Sequence, residues 1–192
     1  MSGIAGIDTR KLTRILRNKG VVKGKIVNAD VETETVVKEL EGTTFPTNQV
    51  ETVSTKTPYA SPGRGMKVVL IDFGSKLGII RELSQRNCDI IVVSQDTSAE
   101  EILMMNPDGI MLSNGPGDPE DVPHVHETIR QLIGKVPIFG ICLGHQLIAL
   151  ASGAKTYKLK FGHRGGNHPV LDLEKNKVAI TSQNHGYAVD QE

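Results

Sequence analysis

Tryptophan is absent from this chain, cysteine occurs only twice, and aromatic residues make up only 4% of the sequence. Two cysteines without a framework spacing exclude the disulfide scaffold of small secreted domains and indicate free thiols in a reducing compartment. No apolar run approaches the roughly 20 residues of a membrane-spanning helix, and the start of the sequence lacks the apolar core of a signal peptide. These absences predict a cytoplasmic protein.

An excess of charge of either sign is also missing. Lys and Arg together number 22, as do Asp and Glu, so the formal net charge is zero. A balanced chain offers no electrostatic reason to expect nucleic acid or an anionic membrane as a partner. The sequence contains no Gly-x-x-x-x-Gly-Lys loop, and it therefore predicts no nucleotide site of that kind in this chain.

Composition divides the chain into three parts. Residues 1–42 are predicted to form a partial N-terminal domain. Residues 43–65 are rich in Thr, Pro and Gly, which is typical of a linker. Residues 66–192 show a regular pattern and are predicted to form the main domain.

The first part has a helical beginning with many basic residues. Asp8 is expected to cap a helix over 9–18, and Gly20 is expected to end it. A strand over 21–28 and a second helix over 31–40 should follow. The basic face of the first helix is interpreted as a solvated or subunit-facing surface in preference to a nucleic-acid site.

From residue 66 onwards, apolar strands alternate with amphipathic helices. The expected strands cover 67–72, 89–93, 109–112 and 136–141, and the expected helices cover 76–85, 99–104, about 126–133 and 143–151. Alternation with short connections predicts an α/β fold with a doubly wound, mostly parallel sheet. Beyond residue 154 the pattern loosens into expected antiparallel strands over 155–161, 168–172 and 178–181.

Parallel strands present their carboxyl ends at one edge of a sheet, and ligands bind at that edge. The rule brings together the turns that follow three of the expected strands. These turns cover residues 72–74, 113–117 and 140–142. A binding or catalytic site is therefore expected at this edge.

The third of these turns contains a cysteine between two glycines. Gly140 and Gly144 lie two residues on either side of Cys142, which is the spacing of a nucleophile elbow with sulfur in place of oxygen. Such a turn leaves the thiol at a helix N-terminus, where N–H groups and the helix dipole stabilise a thiolate. The N–H of Leu143 would point to a forming oxyanion. The alternative for Cys142 is a small buried hydrophobe, which is the interpretation preferred for Cys88.

The turn over 115–117 can supply a second oxyanion donor. Gly115 and Gly117 allow dihedral angles that aim a backbone amide into a site, and Pro116 stiffens the loop. The alternative interpretation of Gly-Pro-Gly is a plain turn. Gln146 lies one helical turn beyond Cys142 and should face the same way.

Five segments together carry a resemblance to a known family. The sequence GICLGHQ over 140–146 resembles the nucleophile motif of the class I glutamine amidotransferases. The segments over 7–12, 112–119, 161–169 and 182–189 are similar to the small-subunit family of carbamoyl-phosphate synthetase. The resemblance runs from near residue 4 almost to the end of the sequence. It implies a class I amidotransferase-like fold and hydrolysis of glutamine by the Cys142 thiolate.

The resemblance also assigns roles to individual residues. It implies that the N–H of Gly115 completes the oxyanion hole begun by Leu143. The substrate-binding residues that it implies are Gly115, Gly117, Leu143, Gln146, Asn184, Gly186 and Tyr187. The family usually has phenylalanine where Tyr187 stands, and the added hydroxyl is expected to have little effect.

The resemblance further implies the partners. L-Glutamine is the expected substrate, and ammonia would pass to a large synthetase subunit in a heterodimer or higher assembly. ATP, Mg²⁺ and bicarbonate belong to that large partner, and no cofactor or metal is expected here. Carbamoyl phosphate would feed pyrimidine and arginine synthesis.

The proton carrier of the family does not match this sequence. The family takes a triad His and Glu from a His-Pro-Glu motif further downstream, and none of the six histidines here is followed by Pro-Glu. The chain therefore resembles a piece of the small subunit, short at both ends, with impaired activity expected. His124 and His126 could suggest a metal, but without a third ligand at a recognisable spacing a solvated loop is preferred.

Two other functions remain open at the level of sequence. The first is a non-catalytic module that binds glutamine and serves as a scaffold docked to the large subunit. The missing triad residues favour it, whereas the intact Cys142 and the Gly-Pro-Gly turn argue against it. The second is another class I amidotransferase, for guanylate or anthranilate synthesis, which the segments over 7–12 and 161–169 disfavour.

Overall fold

A computed structural model describes residues 3–190, which form two compact units. The hairpin unit comprises the described residues up to Pro46 together with Lys158–Gly186. The sheet unit comprises Thr47–Tyr157 together with the described residues from Tyr187 onwards. The predicted domain boundaries stay a prediction, and their outermost residues lie outside the described part of the chain.

The hairpin unit begins with two helices, which were both expected. Helix α1 covers Thr9–Lys19, and the Asp8 side chain accepts a hydrogen bond of 2.9 Å from the N–H of Lys11. Gly20 ends α1 with a φ of 87°, a left-handed conformation that favours glycine. Helix α2 covers Thr33–Gly42, two residues later than predicted.

The strand predicted over 21–28 is wrong. The segment belongs to no sheet; the Val21 N–H donates to the Lys160 carbonyl, and the Asn28 carbonyl accepts from the N–H of Val31 in a local turn. Val22 and Ile26 lie exposed. An alternating apolar pattern predicts a half-buried strand only where a neighbouring strand completes the ladder.

A long β-hairpin completes this part of the chain. Strand β6 covers Thr156–Asp172 and strand β7 covers Lys177–Val189, and they form a two-stranded sheet. The break predicted between 161 and 168 is therefore wrong, since β6 runs through its glycines. Gly162 and Gly165 take left-handed φ values within the strand, which explains how it passes through this stretch.

The sheet unit is built on five strands in the order β1-β3-β2-β4-β5. Its strands are β1 (Tyr59–Ser61), β2 (Lys67–Asp72), β3 (Asp89–Ser94), β4 (Gly109–Leu112) and β5 (Ile138–Gly140). Its helices are α3 (Gln49–Val53), α4 (Leu77–Gln85), α5 (Ala99–Met104), α6 (Pro123–Leu132) and α7 (Leu143–Ala151). None of the helices in residues 3–190 has the length and apolar character needed to cross a membrane.

The predicted α/β fold with a mostly parallel, doubly wound sheet is confirmed. Strands β2, β3, β4 and β5 are parallel, and only β1 pairs antiparallel, with β3. Strand β1 and helix α3 lie in the stretch predicted to be a linker. That stretch therefore contributes an edge strand, which its Thr, Pro and Gly content did not indicate.

Both faces of the sheet are covered by helices. Val69 and Ile71 of β2 point to a large core that includes Ile102 of α5, Leu132 of α6 and Leu147 of α7, all buried. The intervening residue of β2, Leu70, points to a smaller cluster under α4. Successive side chains of a β-strand point to opposite faces of the sheet, so β2 contributes to the cores on both faces.

The register aligns the strand ends that matter for function. Ile71 of β2 lies beside Leu112 of β4, which in turn lies beside Gly140 of β5. Strand β2 pairs with β3 on one side and with β4 on the other, so the chain reverses its direction of travel between β2 and β4. Ligands bind at such a switch point in parallel sheets. The prediction that these three strands end at one edge is confirmed.

The core of the sheet unit predicts a sharp difference between two leucines. Leu132 is fully buried, whereas Leu77 is 81% exposed. Leu132→Ala should lower the free energy of unfolding by about 2–5 kcal/mol, because it removes buried methyl groups and leaves a cavity. Leu77→Ala should change it by less than about 0.5 kcal/mol. Urea unfolding of the two variants measures the difference, and equal losses would contradict this core assignment.

Candidate active site

Cys142 is the N-cap of helix α7 and has a backbone conformation that L-residues avoid. Its φ is 52° and its ψ is −104°. A non-glycine residue in such a region costs on the order of 1–3 kcal/mol and persists only where its surroundings enforce it. The sharp turn between β5 and α7 is the elbow geometry that the glycine spacing predicts.

The glycines around Cys142 are required by lack of space. A Cβ added to Gly140 would lie 2.5 Å from the amide nitrogen of His145, and one added to Gly144 would meet the carbonyl oxygen of Leu112. Both obstacles are backbone atoms, which cannot move aside cheaply. The first turn of α7 therefore packs directly against its own entry strand and against the end of β4.

Hydrogen bonds fasten this turn to the neighbouring strand. The N–H of Ile141 donates to the Leu112 carbonyl at 3.0 Å, and the N–H of Gly144 donates to the Ser113 carbonyl at 3.1 Å. These bonds lie on both sides of Cys142. Hydrogen bonds on both sides of Cys142 thus hold its strained backbone conformation in place.

The turns after β2 and β4 are joined by polar side chains. The N–H of Phe73 donates to the fully buried Ser113 Oγ at 2.8 Å. Asn114 accepts from the N–H of Lys76 at 3.2 Å and donates to the Gly74 carbonyl at 3.3 Å. These bonds hold the loop after β2 against the one after β4, at the switch point of the sheet.

A buried carboxylate shapes the turn after β2. Asp72 is only 7% exposed, and its Oδ1 accepts from the N–H groups of Gly74 and Ser75 at 3.0 and 2.6 Å. Its Oδ2 accepts from the N–H of Thr55 at 2.8 Å. The sequence placed Asp72, Ser113 and Asn114 in turns at this edge but gave their side chains no role, although polar residues at the carboxyl ends of buried strands were a signal that could have found one.

Gly115 and Leu143, the two predicted oxyanion donors, lie close together in the sheet unit. A Cβ on Gly115 would lie 2.6 Å from the Leu143 side chain and would also meet the Phe73 carbonyl oxygen. The N–H of Leu143 lowers the pKa of the Cys142 thiol and so favours its ionised form. Leu143, one predicted donor, therefore lies next to Cys142, and the loop that carries Gly115, the other predicted donor, packs against the Leu143 side chain.

The Cys142 thiol is half-buried, and opposing influences act on its ionisation. Burial has the largest effect and raises the pKa of the thiol above its ordinary value. The Leu143 N–H and then the charge of Lys76 lower this pKa, without reversing the shift. The predicted stabilisation of a thiolate is thus present, but burial outweighs it. Attack on a substrate at neutral pH therefore requires a base to take the thiol proton.

Two of the predicted substrate-binding residues are linked in the sheet unit. The Gln146 side chain is 7% exposed, and its Nε2 donates to the Tyr187 carbonyl at 2.7 Å. Gly117 is exposed and has a φ of 90°. Asn184 and Gly186 belong to the hairpin unit, on strand β7. The substrate-binding roles of these residues stay predictions.

The histidines are distributed over both units. His145 is exposed on α7, and His126 of α6 lies 2.9 Å from the Pro119 carbonyl through its Nε2. His124 Nε2 lies 3.2 Å from a carboxylate oxygen of Asp96. His163, His168 and His185 lie on the hairpin. Within residues 3–190, no group of three or more His, Cys, Asp or Glu side chains is arranged to hold a metal ion.

The pKa of Cys142 predicts the pH dependence of its alkylation. Iodoacetamide reacts with the thiolate, so the rate at Cys142 should still be rising above pH 9. Lys76→Met removes the nearby cation and should therefore raise the pKa of the Cys142 thiol further. The rate of alkylation at pH 8 should fall only about two- to threefold, because solvent and salt screen the charge of an exposed cation. Lys135→Met is the matched control. A rate that levels off below pH 8 would contradict the assignment.

Comparison with known proteins gives the site a family. Residues 69–192 match the family model described as glutamine amidotransferase class-I. The chain is 65% identical over 190 residues to the carbamoyl phosphate synthase small chain of Bacillus cereus, covering 99% of this chain and 52% of that protein. It is 62% identical over 187 residues to the pyrimidine-specific small chain of Bacillus subtilis, covering 97% of this chain and 51% of that protein. The chain therefore spans about half the length of these curated relatives.

Solved structures support the same fold. The crystal structure of a candidate GMP synthase protein from Thermoplasma acidophilum superposes with a TM-score of 0.57 at 25% identity. The superposition covers 67% of this chain and 69% of that one. The resemblance inferred from the sequence motifs is confirmed. The chain belongs to the class-I glutamine amidotransferase family.

Proposed function

We propose that this chain is part of the glutamine-hydrolysing subunit of a carbamoyl-phosphate synthase. The observation that carries the proposal is the strained elbow at Cys142, which places a thiol at the N-terminus of α7 and beside the N–H of Leu143. The identity of 65% to a carbamoyl phosphate synthase small chain supports the choice of reaction within the family.

The proposed reaction uses the thiol as a nucleophile toward the side-chain amide of L-glutamine. Sulfur attacks the amide carbon, and the electron pair of the C=O bond moves to oxygen, which the N–H groups of Leu143 and Gly115 would stabilise. Collapse of this intermediate breaks the C–N bond, and the nitrogen leaves as ammonia with the proton from the thiol. Water then hydrolyses the thioester to glutamate and restores the Cys142 thiol.

Removal of the thiol proton limits how fast Cys142, Leu143 and Gly115 could hydrolyse glutamine without a base. Because burial raises the pKa of Cys142, a base must remove its proton at neutral pH. The family uses a His-Pro-Glu motif for this step, and the 192 residues contain no such motif. Loss of an acid–base group costs on the order of 100- to 10,000-fold in rate. We therefore propose that the chain alone hydrolyses glutamine weakly at most.

The proposal extends to the partner and the compartment. Ammonia released at Cys142 would pass to a large synthetase subunit, which would bind ATP, Mg²⁺ and bicarbonate and form carbamoyl phosphate. Within residues 3–190 neither Cys88 nor Cys142 forms a disulfide, which supports a reducing compartment such as the cytoplasm.

A non-catalytic scaffold that binds glutamine and docks to the large subunit is the second candidate. Burial of the Cys142 thiol, which raises its pKa and disfavours the reactive thiolate, favours it. The strain at Cys142 argues against it, because a binding module has no need of a conformation that costs stability. The two candidates differ in whether the Cys142 sulfur reacts with substrate.

The proposed function is tested by replacing the sulfur atom of Cys142 with oxygen. A polypeptide of the relatives' full length that carries this sequence is combined with a large synthetase subunit. Cys142→Ser should reduce glutamine-dependent synthesis of carbamoyl phosphate at least about 1,000-fold, because the nucleophile is lost. Synthesis from added ammonia should stay within about twofold, since that route bypasses the thiol.

Cys88→Ser is the matched control for this test. It makes the same chemical change at the other cysteine and should preserve both activities. Normal use of glutamine by the Cys142→Ser variant would overturn the proposed function. Loss of both activities in that variant would show a failure of assembly, which gel filtration of the complex detects.

A further inference from the structure

Ser113, directly after β4, has its backbone bonded to two neighbouring elements. Its N–H donates to the Ile71 carbonyl of β2 at 3.2 Å, and its carbonyl accepts from the N–H of Gly144 in α7 at 3.1 Å. The residue is fully buried. The position of Ser113 is therefore fixed relative to the central strand and to the helix that Cys142 caps.

The hydroxyl of Ser113 makes two hydrogen bonds whose directions are fixed by their partners. It accepts from the N–H of Phe73 at 2.8 Å and donates to the carbonyl of Asn114 at 2.8 Å. A backbone N–H can only donate and a backbone carbonyl can only accept, so the single hydroxyl proton points to Asn114. The hydroxyl thus joins the turn after β2 to the peptide group that links Asn114 with Gly115.

That peptide group carries the second proposed oxyanion donor, the N–H of Gly115. A trans peptide is planar, and its carbonyl and N–H point in opposite directions. Residues 3–190 contain no cis peptide bond, so the bond from Ser113 to the Asn114 carbonyl also sets the direction of the Gly115 N–H. Within the same residues, this N–H donates to no other group. It is therefore free to donate to a ligand.

Close packing fixes the place of Gly115 itself. A Cβ added there would lie 2.6 Å from the Leu143 side chain and would also meet the carbonyl oxygen of Phe73. The Gly115 Cα is thus held between these two residues. Rotation of the peptide plane between Asn114 and Gly115 needs no movement of that Cα, and the bond from Ser113 opposes this rotation.

We propose that Ser113 is a positioning residue, whose hydroxyl holds the Asn114 carbonyl and so directs the N–H of Gly115 to the oxyanion formed at Cys142. The proposal rests on the proposed function, since the direction of this N–H matters to the reaction only if Cys142 attacks an amide. Ser113 touches no reacting atom in this role. A donor that is already oriented stabilises charge as the charge forms, without first having to rotate.

Ser113→Ala in a polypeptide of the relatives' full length, combined with a large synthetase subunit, tests the effect on the reaction. The kcat of glutamine-dependent carbamoyl phosphate synthesis should fall about five- to tenfold, the effect of one lost hydrogen bond between neutral groups. The KM for glutamine should change less than about twofold, because the donor acts mainly in the transition state. Synthesis from added ammonia should be unchanged.

Ser54→Ala is the matched control, because it removes another buried serine hydroxyl. Ser54 is 5% exposed, and its Oγ accepts from the N–H of Gln95 at 3.1 Å, so this substitution also deprives a backbone N–H of its acceptor. The control should keep kcat within about twofold of the wild type. Equal losses of kcat in the two variants would show that lost stability is responsible, and would overturn the proposal.

Residual dipolar couplings of the 192-residue chain test the orientation without any substrate. The coupling of the Gly115 N–H depends on the direction of that bond, so it should differ between the wild type and Ser113→Ala. The couplings of strand β4 (Gly109–Leu112) should stay the same, and Ser54→Ala should leave the Gly115 coupling unchanged. A Gly115 coupling that is the same in Ser113→Ala and in the wild type would contradict the proposal.

A second substitution decides the matter if Ser113→Ala does not fold. Ser113→Cys fills the same place with a thiol, which is a weak donor, so kcat should fall about two- to fivefold and the Gly115 coupling should change. A folded variant with unaltered kcat and coupling would refute the role of Ser113. If the wild-type complex uses ammonia but not glutamine, the proposed function fails, and the couplings still show whether Ser113 orients the Gly115 N–H.

Discussion

The site depends on the packing of the first turn of α7 against the carboxyl end of β4. Gly144 lies directly against the Leu112 carbonyl, and its N–H donates to the Ser113 carbonyl. A side chain at position 144 would push the helix away from the sheet. Because the helix cannot retreat, the chain must turn sharply at Cys142, and the strain there is the consequence of this close approach. The same contact sets where the thiol lies relative to the loops after β2 and β4.

The switch point of the sheet gives those loops their common position. Strand β2 is flanked by β3 and β4, so the turns after β2 and β4 lie side by side at the switch point of the sheet. Ser113 and Asn114 join them with hydrogen bonds to backbone groups. A mobile oxyanion hole would have to reorganise during the reaction, whereas a fixed one stabilises charge as it forms. The hydrogen bonds that join these loops and the raised pKa of the Cys142 thiol are consistent with the proposed role of Cys142 as a nucleophile that a base activates.

Local patterns predicted the elements whose structure is decided locally. Strand β2 and helix α7 occur where the apolar periodicity placed them, and the glycine spacing around Cys142 predicted the elbow. The strand expected over 21–28 failed because a strand needs a partner, which periodicity does not reveal. The bond from Gln146 to the Tyr187 carbonyl joins residues far apart in sequence, and only the fold brings them together. The net effect on the thiol pKa was likewise not predictable, since it depends on how deeply the folded chain buries the sulfur.

The central claim is that the elbow presents Cys142, and not Cys88, to a glutamine-shaped ligand. The most direct measurement is the intact mass of the 192-residue chain after reaction with an electrophilic glutamine analogue, with and without excess L-glutamine. We expect one adduct at Cys142, slowed by glutamine and absent in Cys142→Ser, while Cys88 stays unmodified. Equal modification of both cysteines, or an adduct at Cys142 that glutamine does not slow, would contradict it.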